Sequence, residues 1–550
     1  MTVPLARTVV LAVALALSGL GATAADRPIP TLQKQGTTSQ LIVDGKPYLV
    51  LGGELYNSSA SSLPYLEKLW PRLKATGLNT LLAPVEWDQV EQVEGKFDFT
   101  ILDGMLKQAR ANDTRLVLLW FGAWKNSMST YVPAWVKKDH QRFPRTRNRA
   151  GEPQEILTPF SGNTLDADRK AFAALMKHLK QADPQRTVLM VQVENEIGML
   201  PDVRDFGPLA DAALAQPVPS TLLSYLAAHR ATLHPYVRSL WEARGSRSAG
   251  SWTEVFGDSV EAQEVFQAWH YAAFANGLAA AGKTEYALPM FVNVALNRPG
   301  RKPGEYPSAG PLPHLFDVWK AAGPAIDILA IDTYMPNFIH WAKQFRRPDN
   351  PLFIPEANRA GRPEQGAYAL YMIGELDAIG YSPFAIDAVA DPKVDNLPGA
   401  YAILRQLAPL ILAAQGRDRM RGFKADVSYD GVVSTANVQT RLGGYTLDVS
   451  FANQWGKTET AEFEERGGLV IQTGDDEFIV AGKGITVVFK DPAGPQTGVG
   501  FEKVTEGRFV DGRWQEGRWL NGDETHQGRH IRLPAGDGFT IQKVKLYRYR

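Results

Sequence analysis

The sequence predicts an α/β fold: a (β/α)8 TIM barrel followed by a C-terminal all-β sandwich. Three observations carry this. Eight short apolar runs alternate with helical stretches between residues 48 and 386, the pattern of parallel strands buried on both faces and joined by crossover helices. Most of these runs end in acids, amides or glycine, and the C-terminal strand ends of a barrel are where its chemistry sits. Near residue 415 the helical period stops and short alternating runs begin. Tyr445, Leu447, Val449 and Phe451 fall on one face of such a run, and Thr446, Asp448 and Ser450 on the other, the period of two of a half-buried strand.

The elements follow in order. A hairpin over residues 38–48 turns at Asp44-Gly45, a common two-residue turn. The barrel runs are Tyr48–Leu51, Asn79–Pro84, Leu116–Phe121, Thr187–Val193, Met290–Val294, Ile328–Ile331, Leu352–Ile354 and Ser382–Ile386. Helices are expected over Leu63–Ala75, kinked or broken at Pro71, and over Leu102–Ala111, Asp166–Lys180, Val260–Gly282 and Tyr368–Ile379. A long polar loop is expected over 136–163, and a mostly helical insertion after the fourth strand. An open doubly wound sheet is the rival architecture, but no GxGxxG follows the first strand. In the tail, Leu469–Thr473, Glu477–Val480, Gly484–Phe489 and Phe539–Tyr549 read as strands of a sandwich. The organisation expected is therefore a signal peptide over 1–24, a barrel over 27–412 and an accessory domain over 413–550.

With 59 basic and 59 acidic side chains in 550 residues the chain is neutral, so no bulk charge calls for nucleic acid or an anionic membrane. There is no cysteine, which excludes disulfides, thiolate metal sites and a cysteine nucleophile. Arg7, the apolar run Val9–Leu17 and Ala22-Thr23-Ala24 form a secretory signal sequence. The mature chain is expected to be exported, periplasmic or extracellular, with no membrane span. Its oligomeric state is left open.

The strand ends supply Glu54, Glu86, Glu194, Glu196, Asp332, Glu356 and Asp387. Glu196 follows the fourth strand and Glu356 the seventh, so both open onto one mouth. Two carboxyls across a strand-end cleft are what glycoside hydrolysis needs, one to protonate the leaving oxygen and one to attack or to activate water. There is no HExxH, no clustered histidine and no GxSxG elbow, and neither metal nor cofactor is expected. By strand alternation Glu194 shares a face with Glu196 and is the competing acid. Trp87 and Trp124 are candidates for stacking on a sugar face. Glu54, Glu86, Asn126 and Asn293 are further candidate substrate contacts, and Asp387 ranks with them.

Gly53-Glu54-Leu55-Tyr56, Asn79 to Trp87, Glu94 to Phe99 and Gln192 to Gly198 together resemble glycoside hydrolase family 35, the β-galactosidases of clan A, over about residues 40–390. The tail resembles the accessory domain of a bacterial branch related to that family. The resemblance implies retaining hydrolysis of terminal β-galactosides, with plant oligosaccharides such as xyloglucan fragments as a source. It makes Glu196 the acid/base, with Asn195 bonding the sugar 2-OH. It makes Glu356 the nucleophile, with Tyr334 bonding its carboxylate. The chain departs from the pattern after the third strand, where Gly122-Ala123-Trp124-Lys125-Asn126 replaces a Cys-Ala-Glu-Trp-like segment, and after the second, at Glu86-Trp87-Asp88. A clan A hydrolase of different sugar specificity, a β-xylosidase, arabinosidase or mannan-active enzyme, could use the same two glutamates and is the alternative within the class. A catalytically silent carbohydrate-binding protein is the alternative of another class.

Overall fold

The structure is a computed structural model that describes residues 27–389, 396–453 and 457–550. Residues 1–24, which the sequence reads as a signal peptide, lie outside the described residues.

The barrel strands are β1 (Val50–Glu54), β2 (Thr80–Glu86), β3 (Arg115–Phe121), β4 (Val188–Val193), β5 (Met290–Val292), β6 (Ile328–Leu329, resuming as Asp332–Thr333), β7 (Ile354–Ala357) and β8 (Gly380–Pro383). All neighbours run parallel, in the order β6-β5-β4-β3-β2-β1-β8-β7-β6. The two halves of β6 stand at opposite ends of that order with only Ala330 and Ile331 between them, so the sheet closes on itself. Closure removes the unpaired edges that an open sheet leaves. The barrel interior is filled by Leu82, Val117, Leu119, Leu189, Phe291 and Phe353, with Leu41 and Val43 of the N-terminal hairpin packed into the same cluster. That hairpin turns at Asp44 (φ 51°) and Gly45 (φ 74°), the two positive φ values that a type I′ turn demands.

Several boundaries differ from the expectation, for one reason. Hydropathy marks where a strand crosses the core, not where its ladder ends. β1 therefore extends through Glu54, and β7 starts at Ile354 and includes Glu356, which pairs in register with Asp332 of β6. The helix α1 (Leu63–Ala75) runs unbroken through Pro71. Glu67, whose carbonyl loses its N–H partner there, is exposed, as is Pro71, and water can take the bond. The loop expected over 136–163 contains a short helix, Ala134–Lys138, and a hairpin, Arg145–Arg147 with Pro153–Leu157. It leads into α2 (Gly162–Ala182), capped by the Ser161 hydroxyl. The insertion after β4 is helical and culminates in α3 (Val260–Glu285).

Two helices, α4 (Gln365–Gly374) and α5 (Asn396–Ala414), lie between the barrel and the tail. Among the described residues α5 alone is long and apolar enough to cross a membrane by length and composition. Its apolar side is spent inside the protein: Tyr401, Leu404, Leu407 and Ile411 are buried, and the Tyr401 hydroxyl donates to the Gly52 and Tyr381 carbonyls at 2.7 and 2.8 Å.

The tail forms two antiparallel sheets. The four-stranded one runs in the order Val438–Leu442, Tyr445–Ser450, Ile485–Lys490 and Ile531–Leu533. The six-stranded one runs Met420–Lys424, Gly467–Gln472, Glu477–Lys483, Thr540–Tyr549, Gly498–Val510 and Arg513–Trp519. Leu447, Val449 and Phe489 of the first interleave with Val470, Val480 and Val544 of the second in one core, which makes the pair a sandwich. The other face of the six-stranded sheet, with Leu469, Ile471, Ile479 and Ile541, joins the core that surrounds the barrel.

Candidate active site

At the end of β4 the backbone leaves the strand abruptly. Glu194 has φ 60° and Glu196 φ 43°, a left-handed conformation that side-chain-bearing residues rarely hold without compensation. The compensation is a set of hydrogen bonds. The Asn195 N–H donates to the Trp124 carbonyl at 3.2 Å, and the Glu196 N–H to Asn293 Oδ1 at 2.9 Å. Asn195 Oδ1 accepts from Gln192 Nε2 at 2.7 Å and from Asn293 Nδ2 at 2.9 Å, while its own Nδ2 donates to the Lys125 carbonyl at 2.8 Å. Asn293 Nδ2 also donates to Asp332 Oδ2 at 2.5 Å. One asparagine thus ties the ends of β4, β5 and β6 together.

The two left-handed residues separate the two glutamates that strand alternation would place side by side. Glu194 is buried behind the mouth. It accepts from the Ala123 and Trp124 N–H groups at 3.3 and 2.8 Å and shares a proton with Asp168 of α2. Burial, and then the Asp168 charge, hold its carboxyl well above the usual range. Asp168 in turn accepts from Trp120 Nε1 at 2.9 Å and from the Ala123 N–H at 3.0 Å. Glu194 is therefore a clamp on the loop after β3.

Glu196 instead faces the mouth. Burial and the neighbouring Glu356 charge raise its carboxyl to about 7, against the pull of Lys125. Glu356 accepts a hydrogen bond from the Tyr334 hydroxyl on Oε1 and faces a second donor in Glu54. Burial and Glu356 push Glu54 well above the carboxylate range, so it carries the proton of that pair. Burial, then Glu356 and Glu196, do the same to Asp332. Lys125 is the cation among these acids. Burial works against its charge, but Glu196, Glu356, Glu54 and Asp332 outweigh that and raise its pKa. Its ammonium sits 5.0 Å from the centre of the Phe121 ring, and no ion pair within 4.0 Å is formed by it among the described residues. Tyr334 is 45% exposed, so its ring edges the opening.

The structure thus brings Glu54, Asn195, Glu196, Asn293, Tyr334 and Glu356 together and leaves other candidates apart. Trp87 and Trp124 are both 0% exposed and need correcting as sugar-stacking residues. Trp87 donates to Glu91 at 2.8 Å and packs edge-on to Trp135, and Trp124 packs edge-on to Tyr271 and Phe274. Asn126 Oδ1 closes its own loop by accepting from the Met128 N–H at 2.9 Å and the Ser129 hydroxyl at 3.0 Å. Glu86 is raised to about 7 by burial and then by Asp88, with Gln89 as its hydrogen-bond partner, and it lines a separate cavity of about 370 Å³ with Ala60 and Met105. Asp387 accepts from the Tyr56 N–H and the Ser59 hydroxyl, holding the loop after β1. Asn293 has both amide ends occupied by protein, so it positions Glu196 rather than meeting substrate. The sequence reading missed Lys125 and the clamp formed by Asp168. Lys125 stood at a strand end, the same signal that singled out the acids.

Comparison with known proteins matches parts of the chain to two family models. Residues 61–222 match the glycoside hydrolase family 42 model, described as Beta-galactosidase. The matched segment holds β2, β3, β4 and Glu196. Its number is 42, and the number 35 suggested by the sequence motifs is not confirmed by it. Residues 397–532 match a Domain of unknown function, DUF5597. Among curated relatives, a β-galactosidase of Xanthomonas manihotis is 31% identical over 209 residues, covering 37% of this chain and 31% of that protein. Human β-galactosidase-1-like protein 3 is 28% identical over 182 residues, covering 31% of this chain and 25% of that one. The chain therefore spans a third or less of each relative's length. Solved structures of similar shape include a catalytic mutant of a GH42 β-galactosidase from G. stearothermophilus, at TM-score 0.49 and 11% identity over 93% of this chain and all of that one. Another is a β-galactosidase from Rahnella sp. R3, at TM-score 0.46 and 15% identity over 72% of this chain and 59% of that one.

Proposed function

We propose that the chain is a retaining, exo-acting glycoside hydrolase that releases terminal β-D-galactose. The observation that carries the reading is the pairing of Glu196 and Glu356. They come from β4 and β7 of one closed barrel, the Glu356 charge helps lift Glu196 to about 7, and Tyr334 bonds Glu356. A carboxyl with that pKa still holds a proton in mildly acidic to neutral solution and can give it to a glycosidic oxygen. Glu356 attacks the anomeric carbon as the leaving group departs, and the Tyr334 and Glu54 donors steady its carboxylate before attack. Glu196, now ionised, then takes a proton from water, which releases the sugar with its configuration kept. Retention requires carboxyls roughly 5–5.5 Å apart, against roughly 6.5–9.5 Å for inversion. Support for galactose comes from the Beta-galactosidase description of the matching model and the names of the curated relatives.

The test is a panel of p-nitrophenyl glycosides that differ only in the sugar, followed by proton NMR of the first product before mutarotation. The β-galactoside is expected to be cleaved fastest and to yield β-galactose first. Glu356→Ala is expected to lose turnover while keeping its fold, and azide should then return part of the rate with an activated substrate by forming the α-galactosyl azide. Initial α-galactose refutes the mechanism. Preference for a xyloside, arabinoside or mannoside refutes the sugar, and a folded wild-type protein inert on every glycoside supports the silent binding protein instead.

A further inference from the structure

The six-stranded sheet of the tail has an outer face that is only partly used. Near Ile541 it packs on the barrel's core, but further along the same face carries three exposed aromatics: Trp519 at 63%, Tyr547 at 48% and Tyr549 at 54%. Alternation fixes their common side. Ile541, Lys543, Lys545, Tyr547 and Tyr549 point one way from their strand, while Val544 and Leu546 point into the sandwich core. Lys503 pairs in register with Lys545, and its ammonium lies 4.8 Å over the Trp519 ring, which places Trp519 on that face too.

The two tyrosines are held flat. Tyr549 pairs with Gly498 and Tyr547 with Gly500 on the neighbouring strand. A Cβ built on Gly498 would lie 2.4 Å from the Tyr549 ring, and one on Gly500 would lie 2.7 Å from the Tyr547 ring. Each ring therefore lies across bare backbone, where any side chain would lift it away, the arrangement by which an aromatic covers a strand glycine. One ring face is spent on the sheet and the other is left to solvent. The ring centres are 5.7 Å apart with planes 38° from parallel, a shallow platform that follows the sheet twist.

Charge decides what fits it. The lysines beside the rings are each neutralised locally: Lys503 by Glu516 at 2.8 Å, Lys545 by Glu502 at 2.7 Å and Lys543 by Glu477 at 3.1 Å. A polyanion gains no net positive field here, unlike the basic grooves that hold nucleic acid. A protein interface would deplete charged residues at its centre, whereas here ion pairs stand between the aromatics. What remains is a neutral polymer with apolar ring faces to stack and hydroxyl edges for the charged groups to bond. We propose that Trp519, Tyr547 and Tyr549 form a second, non-catalytic binding surface for a neutral polysaccharide. Choosing a carbohydrate among neutral ligands rests on the glycosidase reading of the barrel.

Native gels cast with soluble xyloglucan, galactomannan or hydroxyethyl cellulose test this on the full chain, with polygalacturonate as the anionic control and saturating galactose added to occupy the barrel. Retardation by at least one neutral polymer is expected, unchanged by galactose and absent with polygalacturonate. Tyr547→Ala and Trp519→Ala should each weaken it roughly three- to tenfold, the worth of one aromatic face contact, with p-nitrophenyl galactoside hydrolysis kept. Trp519 covers no glycine, so its variant keeps the test open if loss of Tyr547 unsettles the sheet. No retardation by any neutral polymer, equal retardation of folded variants, or retardation abolished by galactose overturns the proposal. An enzyme inert on aryl glycosides but retarded through these aromatics would sink the catalytic reading and leave this one standing.

Discussion

Replacing Glu356 by Gln removes one negative charge from beside Glu196 and changes little in shape. Two unit charges at roughly 5 Å with an effective dielectric of about 20 repel by about 3 kcal/mol, or roughly two pH units. That is a ceiling, because burial is the larger cause of the rise to about 7, with Glu356 second and Lys125 opposing both. In Glu356→Gln the Glu196 midpoint should therefore fall by about one to two pH units and stay above that of an exposed glutamate. The sign is fixed, since a lost anion can only ease ionisation of its neighbour. Infrared difference titration reads it: the protonated-carboxyl band lost between wild type and Glu196→Gln gives one midpoint, and the same difference in the Glu356→Gln background gives the other. The alkaline limb of kcat/KM in the wild type should fall near the first midpoint, as the limb of an acid does. An unchanged or higher midpoint in the Glu356→Gln background means that the two carboxyls are not within reach of each other, and the paired mechanism falls with it.

Two further outcomes are expected. Glu194→Leu should lower Tm, because it strands the Trp124 N–H at about 1–3 kcal/mol and takes the carboxyl partner from buried Asp168, while the Ala123 N–H keeps Asp168, whereas Glu194→Gln should fold and hydrolyse dinitrophenyl and alkyl galactosides in the wild-type ratio; a selective loss on the alkyl substrate would make Glu194 the acid. Burial raises Glu86 and Glu196 to about 7 in the folded state, above their unfolded value, so these two groups contribute stability that is present below about pH 4.5 and is lost as pH rises through 7, partly offset below pH 6.5 by His270, which burial lowers to about 4. Calorimetry should give a lower Tm at pH 8 than at pH 5.5, and the reverse order would refute the raised values.

The alternation of apolar runs with helices was legible because the barrel buries each strand on both sides. The same signal blurred the strand ends, where the chemistry lies. Glu54 and Glu356 are ladder residues rather than loop residues, since backbone pairing continues past the last aliphatic side chain. Trp87 and Trp124 misled for a related reason: an aromatic next to a strand-end acid has the same sequence whether it turns to the mouth or into the surrounding helices. The φ reversal at Glu194 and Glu196 leaves no hydropathy signature at all, and a spatial partner, Asp168 on α2, marks which glutamate turns inward. The exposed tyrosine pair needed register as well, because its glycine partners lie about fifty residues away along the chain and have no periodicity of their own.

Four acids around one lysine cannot all be ionised in a buried mouth, and hydrogen bonding decides where the charge rests. Asp332 has a single donor, Asn293, and its Oδ1 has no partner among the described residues; Glu54 likewise has a partnerless Oε1. Glu356 receives the Tyr334 hydroxyl and faces the Glu54 proton. Donors stabilise a charged carboxylate, and on the proposed mechanism Glu356 is the carboxylate that attacks carbon. The neighbours that keep their protons serve it as donors rather than rivals. Glu196, raised to about 7 and with no such donor pair, is on the proposed mechanism the member of the set that passes a proton to substrate and takes one back. On the proposed mechanism the division of labour between the two glutamates follows from which strand end each donor occupies: Tyr334 lies just beyond β6, which pairs with β7, and Glu54 closes β1, one strand past β8 on the other side of β7, while neither strand neighbours β4.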